Sequence, residues 1–201
     1  MHSKKEYKVI AIYGSPRRGG NTDILLNRFL DGLEEHKIKS GKNITVERIF
    51  VSSLKISPCR ECGHCLETGE CATQDDMQSI YPRIIDSDFI AVASPIFFTT
   101  VPGYLKAFID RFQRFWVLKY EFKKRIIKKD KNGILISVSG SGIKDIFKCT
   151  KKVIGALFDV LYTKYHRDFL YNSIDSKGDI LKNKGALEAV YNFGMNCDFL
   201  E

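Results

Sequence analysis

Short apolar runs alternate along the chain with longer segments whose apolar residues recur at helical spacing. Residues 9–13 form an unbroken, mostly β-branched run, which is typical of a strand buried on both faces. Ile24, Leu25, Phe29, Leu30 and Leu33 then follow the period of an amphipathic helix. Because this alternation continues through the chain, the pattern predicts an α/β fold with a parallel sheet and helices on both faces.

The pattern also predicts where each element lies. The predicted strands are residues 9–13, 44–51, 88–94, 133–138 and 167–171. The first helix is expected to end near His36, with a loop over residues 37–43, and a second helix to begin at Asp75 and Asp76, with Pro82 either inside it or ending its first part. Later helices are expected around residues 105–115, 145–164 and 179–197. We find no linker, and we therefore predict one domain over residues 1–201, with a cysteine loop at residues 57–73 inserted after the second strand.

The first predicted strand ends in the loop Gly-Ser-Pro-Arg-Arg-Gly-Gly-Asn-Thr, residues 14–22. A glycine-rich turn into a helix offers free backbone N–H groups and the positive end of the helix dipole to a phosphate. The loop is not a Walker A motif, because Gly20 replaces the lysine and Asn21 replaces the Ser or Thr. We interpret it as the phosphate site of a mononucleotide such as FMN; the alternative is a structural turn.

Two further loops, after the third and fourth predicted strands, are rich in Gly, Ser and Pro, at residues 94–103 and 139–142. The carboxyl ends of parallel strands meet at one edge of a sheet, and ligands bind there. We therefore expect these loops and the phosphate loop to share one ligand.

Four of the six cysteines lie close together, as Cys59, Cys62, Cys65 and Cys71, in a C-x2-C-x2-C-x5-C pattern. Two successive x2 spacings direct three thiolates to a common centre, and the longer gap lets the fourth return, as a cubane cluster requires. Structural zinc sites more often use two separated pairs. Zinc and free thiols remain alternatives to an iron–sulfur cluster. We expect Cys149 and Cys197, on predicted helices, to be core residues.

The overall charge changes this interpretation little. The chain has a formal net charge of +8 and is 44% hydrophobic, and no apolar run is long enough to cross a bilayer. We expect a cytoplasmic protein with reduced or metal-bound cysteines and no membrane partner.

The basic stretch at residues 119–131 is expected to be a solvated face, although it could dock an acidic protein. Nucleic-acid binding is disfavoured because no such motif is present and acidic residues are mixed in.

Aromatic residues recur in the helix after the third strand, at Phe108, Phe112, Phe115 and Trp116. Core packing is the default interpretation for such a series. Part of it could instead bury a dimer interface.

Taken together, three segments resemble the flavodoxin-like NAD(P)H:FMN reductase superfamily, and within it the iron–sulfur flavoproteins. Residues 14–22 are similar to the family's FMN phosphate loop, and residues 59–71 resemble its cluster motif. Residues 94–98, followed by Lys-Ala-Phe-Ile-Asp-Arg at 106–111, resemble the loop and helix that hold the isoalloxazine ring. The resemblance implies a three-layer flavodoxin-like sandwich with strand order 2-1-3-4-5, bound FMN, a [4Fe–4S] cluster and a homodimer or dimer of dimers.

The same resemblance, with the residues above, implies a set of ligands. Cys59, Cys62, Cys65 and Cys71 would hold the cluster. The residues expected to hold FMN are Ser15, Pro16, Arg17, Gly19, Asn21, Thr22, Pro95, Ile96, Phe97, Phe98, Ser139 and Gly140. One departure is that Phe97 and Phe98 stand where the family often has Tyr or Trp, so a hydroxyl contact to the ring is lost.

The implied function is that of a flavin-dependent oxidoreductase, which passes electrons between a reduced donor (ferredoxin or NAD(P)H), the cluster and FMN. We predict no catalytic acid or base. The alternatives are an NAD(P)H-dependent FMN or quinone reductase without a cluster, and a flavin- or metal-bearing binding or sensor module.

Overall fold

The computed structural model describes residues 6–197 and contains a five-stranded sheet. Its strands are β1 (Glu6–Tyr13), β2 (Asn43–Phe50), β3 (Phe89–Pro95), β4 (Lys131–Val138) and β5 (Thr163–Tyr171). They lie in the order β2-β1-β3-β4-β5, and every neighbouring pair is parallel. The predicted strand order and the α/β class are confirmed.

Seven α-helices lie within the described residues. They are α1 (Asn21–Ser40), α2 (His64–Thr68), α3 (Met77–Asp86), α4 (Gly103–Asp110), α5 (Gln113–Trp116), α6 (Lys148–Val160) and α7 (Lys184–Asn196). A π-helical turn, Val117–Glu121, continues α5, and 3-10 turns occupy Val51–Ser53 and Asp179–Lys182.

The sheet is covered on both faces, which produces the predicted three layers. Side chains alternate across a strand, so Val9 and Ala11 of β1 pack in the apolar cluster that contains α1 and α7. Ile10 and Ile12 pack in a second cluster, with α3, α4 and α6. This is why the central strands read as continuous apolar runs.

The helices α1 and α7 touch backbone to backbone. A Cβ built on Gly32 would lie 2.1 Å from the carbonyl oxygen of Tyr191, and one on Gly194 would lie 2.2 Å from that of Phe29. Any larger residue at either position would force the helices apart.

The structure corrects the predicted end of α1 and decides the position of Pro82 in α3, which the sequence left open. The helix α1 continues to Ser40, where Gly41 ends it in a left-handed conformation with φ of 64° and donates its N–H to the Lys37 carbonyl. The predicted loop over residues 37–43 is therefore wrong in its first half. Pro82 lies inside α3 and does not end it.

The C-terminal third also differs from the prediction. The helix α6 ends at Val160, not at residue 164, because the chain turns at Tyr162 (φ 52°) and pairs with β4 from Thr163 onward. Strand β5 therefore begins four residues earlier than predicted. The last predicted helix is divided at Asn183, whose side chain accepts a hydrogen bond from the Ala186 N–H and caps α7.

The basic stretch at residues 119–131 is mostly exposed, but some of its basic groups are paired or buried, so the expected solvated face is only partly correct. Lys119 pairs with Asp159, and Lys129 pairs with Asp88. Lys131 is buried, and its ammonium group donates to carbonyl groups at the end of α3.

The isolated cysteines and the aromatic series gave mixed outcomes. Cys197 is buried as predicted, whereas Cys149 is exposed, so its assignment to the core was wrong. Phe108, Phe112 and Phe115 are buried, which confirms core packing, but Trp116 is partly exposed.

None of the helices within residues 6–197 combines the length and apolar character needed to span a membrane.

Candidate functional site

The loops that leave the carboxyl ends of the strands surround one cavity, which we call the sheet-edge cavity. It is lined by residues of the loops after β1, β3, β4 and β5. These residues are Ser15, Arg17, Gly20, Asn21, Thr22, Pro95, Ile96, Phe97, Val138, Gly140, Ile174, Asp175 and Lys177. The structure thus brings together eight residues of the predicted set of twelve. Pro16, Gly19, Phe98 and Ser139 are outside the lining.

The phosphate loop is a tight turn held by its own polar groups. The Ser15 hydroxyl accepts the Arg17 N–H at 3.1 Å, and the Gly20 N–H donates to the Arg17 carbonyl at 3.1 Å. Gly19 has φ of 65°, and its N–H donates to the buried carboxylate of Asp23 at 2.9 Å. Burial raises the pKa of Asp23, partly offset by that hydrogen bond from Gly19.

The first turn of α1 faces the sheet-edge cavity without a cap. Gly20 is its N-cap residue, and no side chain accepts a hydrogen bond there. The first N–H groups of a helix have no partner within the helix. They are therefore available to an anion in the cavity.

The side chains of two polar residues of this loop are bound to other parts of the protein. The Arg18 guanidinium stacks on Phe50 at 3.4 Å and donates to the Ser53 hydroxyl at 3.0 Å, so it is directed away from the cavity. The Asn21 side chain is bonded to the loop after β5. A contact between Asn21 and phosphate stays a prediction for its backbone N–H.

The loop after β3 forms a small hairpin beside the cavity. Phe97 and Thr100 exchange backbone hydrogen bonds, and Phe98 and Thr99 between them have φ of 44° and 66°. Phe97 lines the cavity, whereas the Phe98 side chain is fully exposed at the tip. Phe97 therefore provides the apolar wall, and the role of Phe98 stays a prediction.

The β4 loop approaches the β5 loop very closely. The backbone of Ser139 accepts the Ile174 N–H at 2.9 Å. A Cβ on Gly140 would lie 2.5 Å from the Asp175 carboxylate. The absence of a side chain at position 140 leaves room for this carboxylate in its present position.

The β5 loop, residues 174–178, was missed by the sequence analysis. It carries no nucleotide motif, and the predicted fifth strand was short. Its polar Ile-Asp-Ser-Lys-Gly composition directly after a strand was the available signal, since all loops at that edge of a parallel sheet are candidates for ligand contact.

A second cavity, the cysteine cavity, lies beside α5. Cys59, Cys62, Cys65 and Cys71 all line it and form no disulfide. Burial and the neighbouring cysteines raise the pKa of the Cys65 thiol. The four predicted ligands thus line one cavity.

Arg111 joins the two ends of the cysteine loop. Its guanidinium donates to the Ser57 carbonyl at 2.9 Å, to the Thr73 carbonyl at 3.1 Å and to the Cys71 sulfur at 3.4 Å. It also pairs with the Asp75 carboxylate at 2.5 Å. This side chain is almost completely buried, so it is part of the structure that shapes the cavity.

Arg114 holds the middle of the same loop. Its Nε donates to the Gly69 carbonyl at 3.1 Å, and it pairs with Glu70 at 2.5 Å. Its guanidinium also lies 4.9 Å from the Tyr81 ring centre. Neither arginine was assigned a role from the sequence, because their partners are about 40 residues away along the chain.

The pairing with Arg111 determines the charge of Asp75. Burial by itself raises the pKa of Asp75, but the hydrogen bonds from Arg111 and from the Ser57 and Met77 N–H groups outweigh it and lower the pKa below its ordinary value. The carboxylate is therefore charged at neutral pH.

The donor set of the cysteine cavity fits an iron–sulfur cluster in its chemistry. Four thiols and nearby N–H donors match the ligands and hydrogen bonds that such clusters use. The four thiols are not arranged as a set of metal ligands in the structure. Within residues 6–197 the His, Cys, Asp and Glu side chains form no group of three or more that could hold a metal ion.

The helix α4 connects the two cavities. The loop that precedes it supplies Phe97 to the sheet-edge cavity, and Arg111 follows its last residue, Asp110. A helix of eight residues is about 12 Å long. The two cavities are thus joined by one short, rigid element.

Comparison with known proteins identifies the family. Residues 7–158 match the family model described as NADPH-dependent FMN reductase. The chain belongs to this family. Its members by that description are flavin-dependent oxidoreductases, and the matched residues include the loops after β1, β3 and β4 that line the sheet-edge cavity.

Curated relatives in the family carry a second feature in their names. An iron–sulfur flavoprotein from Archaeoglobus fulgidus is 38% identical over 104 residues, which is 52% of this chain and 44% of that protein. An iron–sulfur flavoprotein from Methanosarcina thermophila is 32% identical over 134 residues, 67% of this chain and 64% of that protein. The matches thus span about half to two thirds of these relatives.

Solved structures agree in fold. An azoreductase from Bacillus anthracis superposes with a TM-score of 0.67 at 12% identity, covering 94% of this chain and 99% of that one. At this level of identity the likeness concerns the fold alone.

Proposed function

We propose that this protein is an FMN-dependent redox protein that passes electrons between a reduced donor, a [4Fe–4S] cluster and FMN. One observation carries the proposal: four cysteines line one cavity at one end of α4, and the loop at its other end lines the cavity of an FMN reductase fold. The donor would be ferredoxin or NAD(P)H.

In this proposal the sheet-edge cavity binds FMN. The uncapped start of α1 and Arg17 would hold the phosphate, while Pro95, Ile96 and Phe97 would cover the flavin ring. Cys59, Cys62, Cys65 and Cys71 would ligate the cluster. When bound, FMN takes up electrons singly or as a hydride, and a cluster passes one electron at a time.

The protein's own contribution is to bind and orient the cofactors. No acid or base is required for hydride or electron transfer, and the lining of the sheet-edge cavity contains no histidine. The mostly apolar wall from residues 95–97 would exclude water from the face of the ring that it covers.

The first experiment is to purify the chain without oxygen and to assay flavin, iron, sulfide and zinc on one sample. The proposal predicts flavin and about four irons per chain, the cubane stoichiometry. Flavin without iron would favour the second candidate below, and absence of flavin would overturn both and favour a binding or sensor module.

Replacing Cys62 by Ser tests the ligand assignment. We expect nearly complete loss of iron with flavin content unchanged, because Ser removes one of four cluster ligands. The matched control is Cys149→Ser, since Cys149 is exposed and lies outside both cavities. Equal iron content in the two variants would contradict the assignment.

The second candidate is an NAD(P)H-dependent FMN or quinone reductase without a cluster. It is favoured by the family description and by the thiol positions, which form no metal-binding group within the described part of the chain. In that case NAD(P)H would reduce bound FMN at the same rate in wild-type and Cys62→Ser protein.

A homodimer or a dimer of dimers is part of the proposal. The exposed ring of Trp116 packs against Tyr120 at 5.6 Å on the surface, beside an apolar groove with Ile109 and Val160. Light scattering at micromolar concentration tests this assembly, and a monomer would contradict it.

A further inference from the structure

The loop after β5 lies outside the part of the chain that the family model covers. That match ends at residue 158, within α6. Yet Ile174, Asp175 and Lys177 of this loop line the sheet-edge cavity. The cavity therefore has one wall that the family match does not account for.

Asn21 fixes the position of this loop. Its Oδ1 accepts the N–H groups of Gly178 at 2.9 Å and Ile180 at 3.3 Å, and its Nδ2 donates to the Ser176 carbonyl at 2.9 Å. The Asn21 residue is itself only 8% exposed. The β5 loop is thus tied to the first residue of α1, where a phosphate would bind.

The two charged residues of the loop lie beside different parts of the cavity. The Lys177 ammonium is 3.7 Å from the point that a Cβ on Gly19 would occupy, which is beside the phosphate loop. The Asp175 carboxylate is 2.5 Å from the corresponding point on Gly140, at the end of β4. The cation is next to the phosphate loop, and the anion is next to a different strand.

This separation of charge matters for the ligand. A carboxylate beside a phosphate would repel it, whereas a carboxylate farther along the ligand can accept hydrogen bonds from hydroxyl groups. The arrangement therefore suits a molecule with an anionic end and a chain of hydroxyl groups.

We propose that residues 174–178 form a clasp over FMN, in which Lys177 is a second cation for the 5′-phosphate beside Arg17. In the same clasp, Asp175 accepts hydrogen bonds from hydroxyl groups of the ribityl chain. This inference rests on the proposed binding of FMN in the sheet-edge cavity. It makes Lys177 a residue that distinguishes the phosphorylated flavin from riboflavin.

The test is to titrate the full chain, dialysed free of flavin, with FMN and with riboflavin, following flavin fluorescence. For Lys177→Met we expect FMN affinity to fall about three- to fivefold, as for an exposed charge pair. Riboflavin affinity should not change, and Lys177→Arg should restore FMN binding. The matched control is Lys182→Met, because Lys182 is also exposed, pairs with Asp179 and does not line the sheet-edge cavity.

Salt provides a second measurement that a merely structural role would not change. Added salt screens exposed charges, so FMN affinity of the wild type should fall more steeply with salt than that of Lys177→Met.

The Asp175→Asn change should weaken the binding of FMN and of riboflavin to a similar extent, since the ribityl hydroxyl groups are common to both.

The outcomes separate this inference from the proposed function. If wild-type protein binds FMN but Lys177→Met behaves like Lys182→Met, or weakens both flavins equally, the clasp is overturned and the proposed function stands. If wild-type protein binds neither flavin, the proposed function itself fails. Matching thermal unfolding of the two lysine variants verifies that both are folded.

Discussion

The sheet-edge cavity and the cysteine cavity are built on different physical principles, although one helix, α4, joins them. The first is formed by backbone at the ends of four strands, and its shape depends on a side chain being absent at Gly140. The second is formed by a long loop with little regular structure, held by the buried side chains Arg111 and Arg114. Adding a side chain should therefore disrupt the sheet-edge cavity, whereas removing a side chain should disrupt the cysteine cavity.

The largest expected effect is at the cysteine cavity, for Arg111→Met. This change leaves the Asp75 carboxylate buried without its cation, and breaking a buried pair costs ~3–5 kcal/mol. We expect that loss in the free energy of unfolding measured with urea, together with loss of iron. The control is Arg83→Met, because the Arg83–Glu47 pair is exposed and should contribute less than ~1 kcal/mol.

If the two arginine variants unfold at the same urea concentration, the cysteine loop does not depend on Arg111. The comparison between the two cavities would then be wrong, since the loop would hold itself in place as the strand-end loops do.

The converse test at the sheet-edge cavity is Gly140→Ala. The added Cβ would lie 2.5 Å from the Asp175 carboxylate, so that side chain must shift from its position in the cavity. Overpacking typically costs ~1–3 kcal/mol, and we expect it mainly as a roughly tenfold or greater loss of FMN affinity, with iron content unchanged.

The control for this change is Gly155→Ala. A Cβ there meets nothing within 4 Å, and Gly155 lies inside α6. Alanine should therefore stabilise the helix by ~0.5–1 kcal/mol and leave FMN affinity unaltered. Unchanged FMN affinity in Gly140→Ala would show that the β5 loop is not part of the binding site.

The smallest effect that we expect is a pH dependence specific to the cysteine cavity. The pKa of Asp75 is lowered in the folded protein, so its contribution to stability is present above the ordinary Asp pKa of about 3.9 and is lost as the pH falls through the folded value. Urea unfolding of the wild type should therefore weaken more steeply below about pH 4 than that of Asp75→Asn. Parallel pH curves for the two proteins would contradict this assignment.

The sequence analysis was most accurate where local pattern and strand order suffice. Continuous or alternating apolar residues located all five strands at least in part, and the three motif-bearing loops were correctly placed at one edge of the sheet. The assignment of Cys149 to the core was wrong, because the structure exposes this residue to solvent. Strand β5 was predicted to begin four residues too late, because an edge strand as polar as Thr-Lys-Tyr-His-Arg-Asp lacks an apolar run.

The sequence by itself therefore determined the approximate positions of the strands, the glycine-rich loop over residues 14–22 and the set of four cysteines, since each depends on a pattern within a short segment. Only the tertiary structure decided that Arg111 and Arg114 hold the cysteine loop, and that Asp175 and Lys177 enter the sheet-edge cavity. These contacts join residues about 40 to about 160 positions apart. They depend on which side chains become buried together, and burial is a property of the packed sheet and helices, not of any short segment.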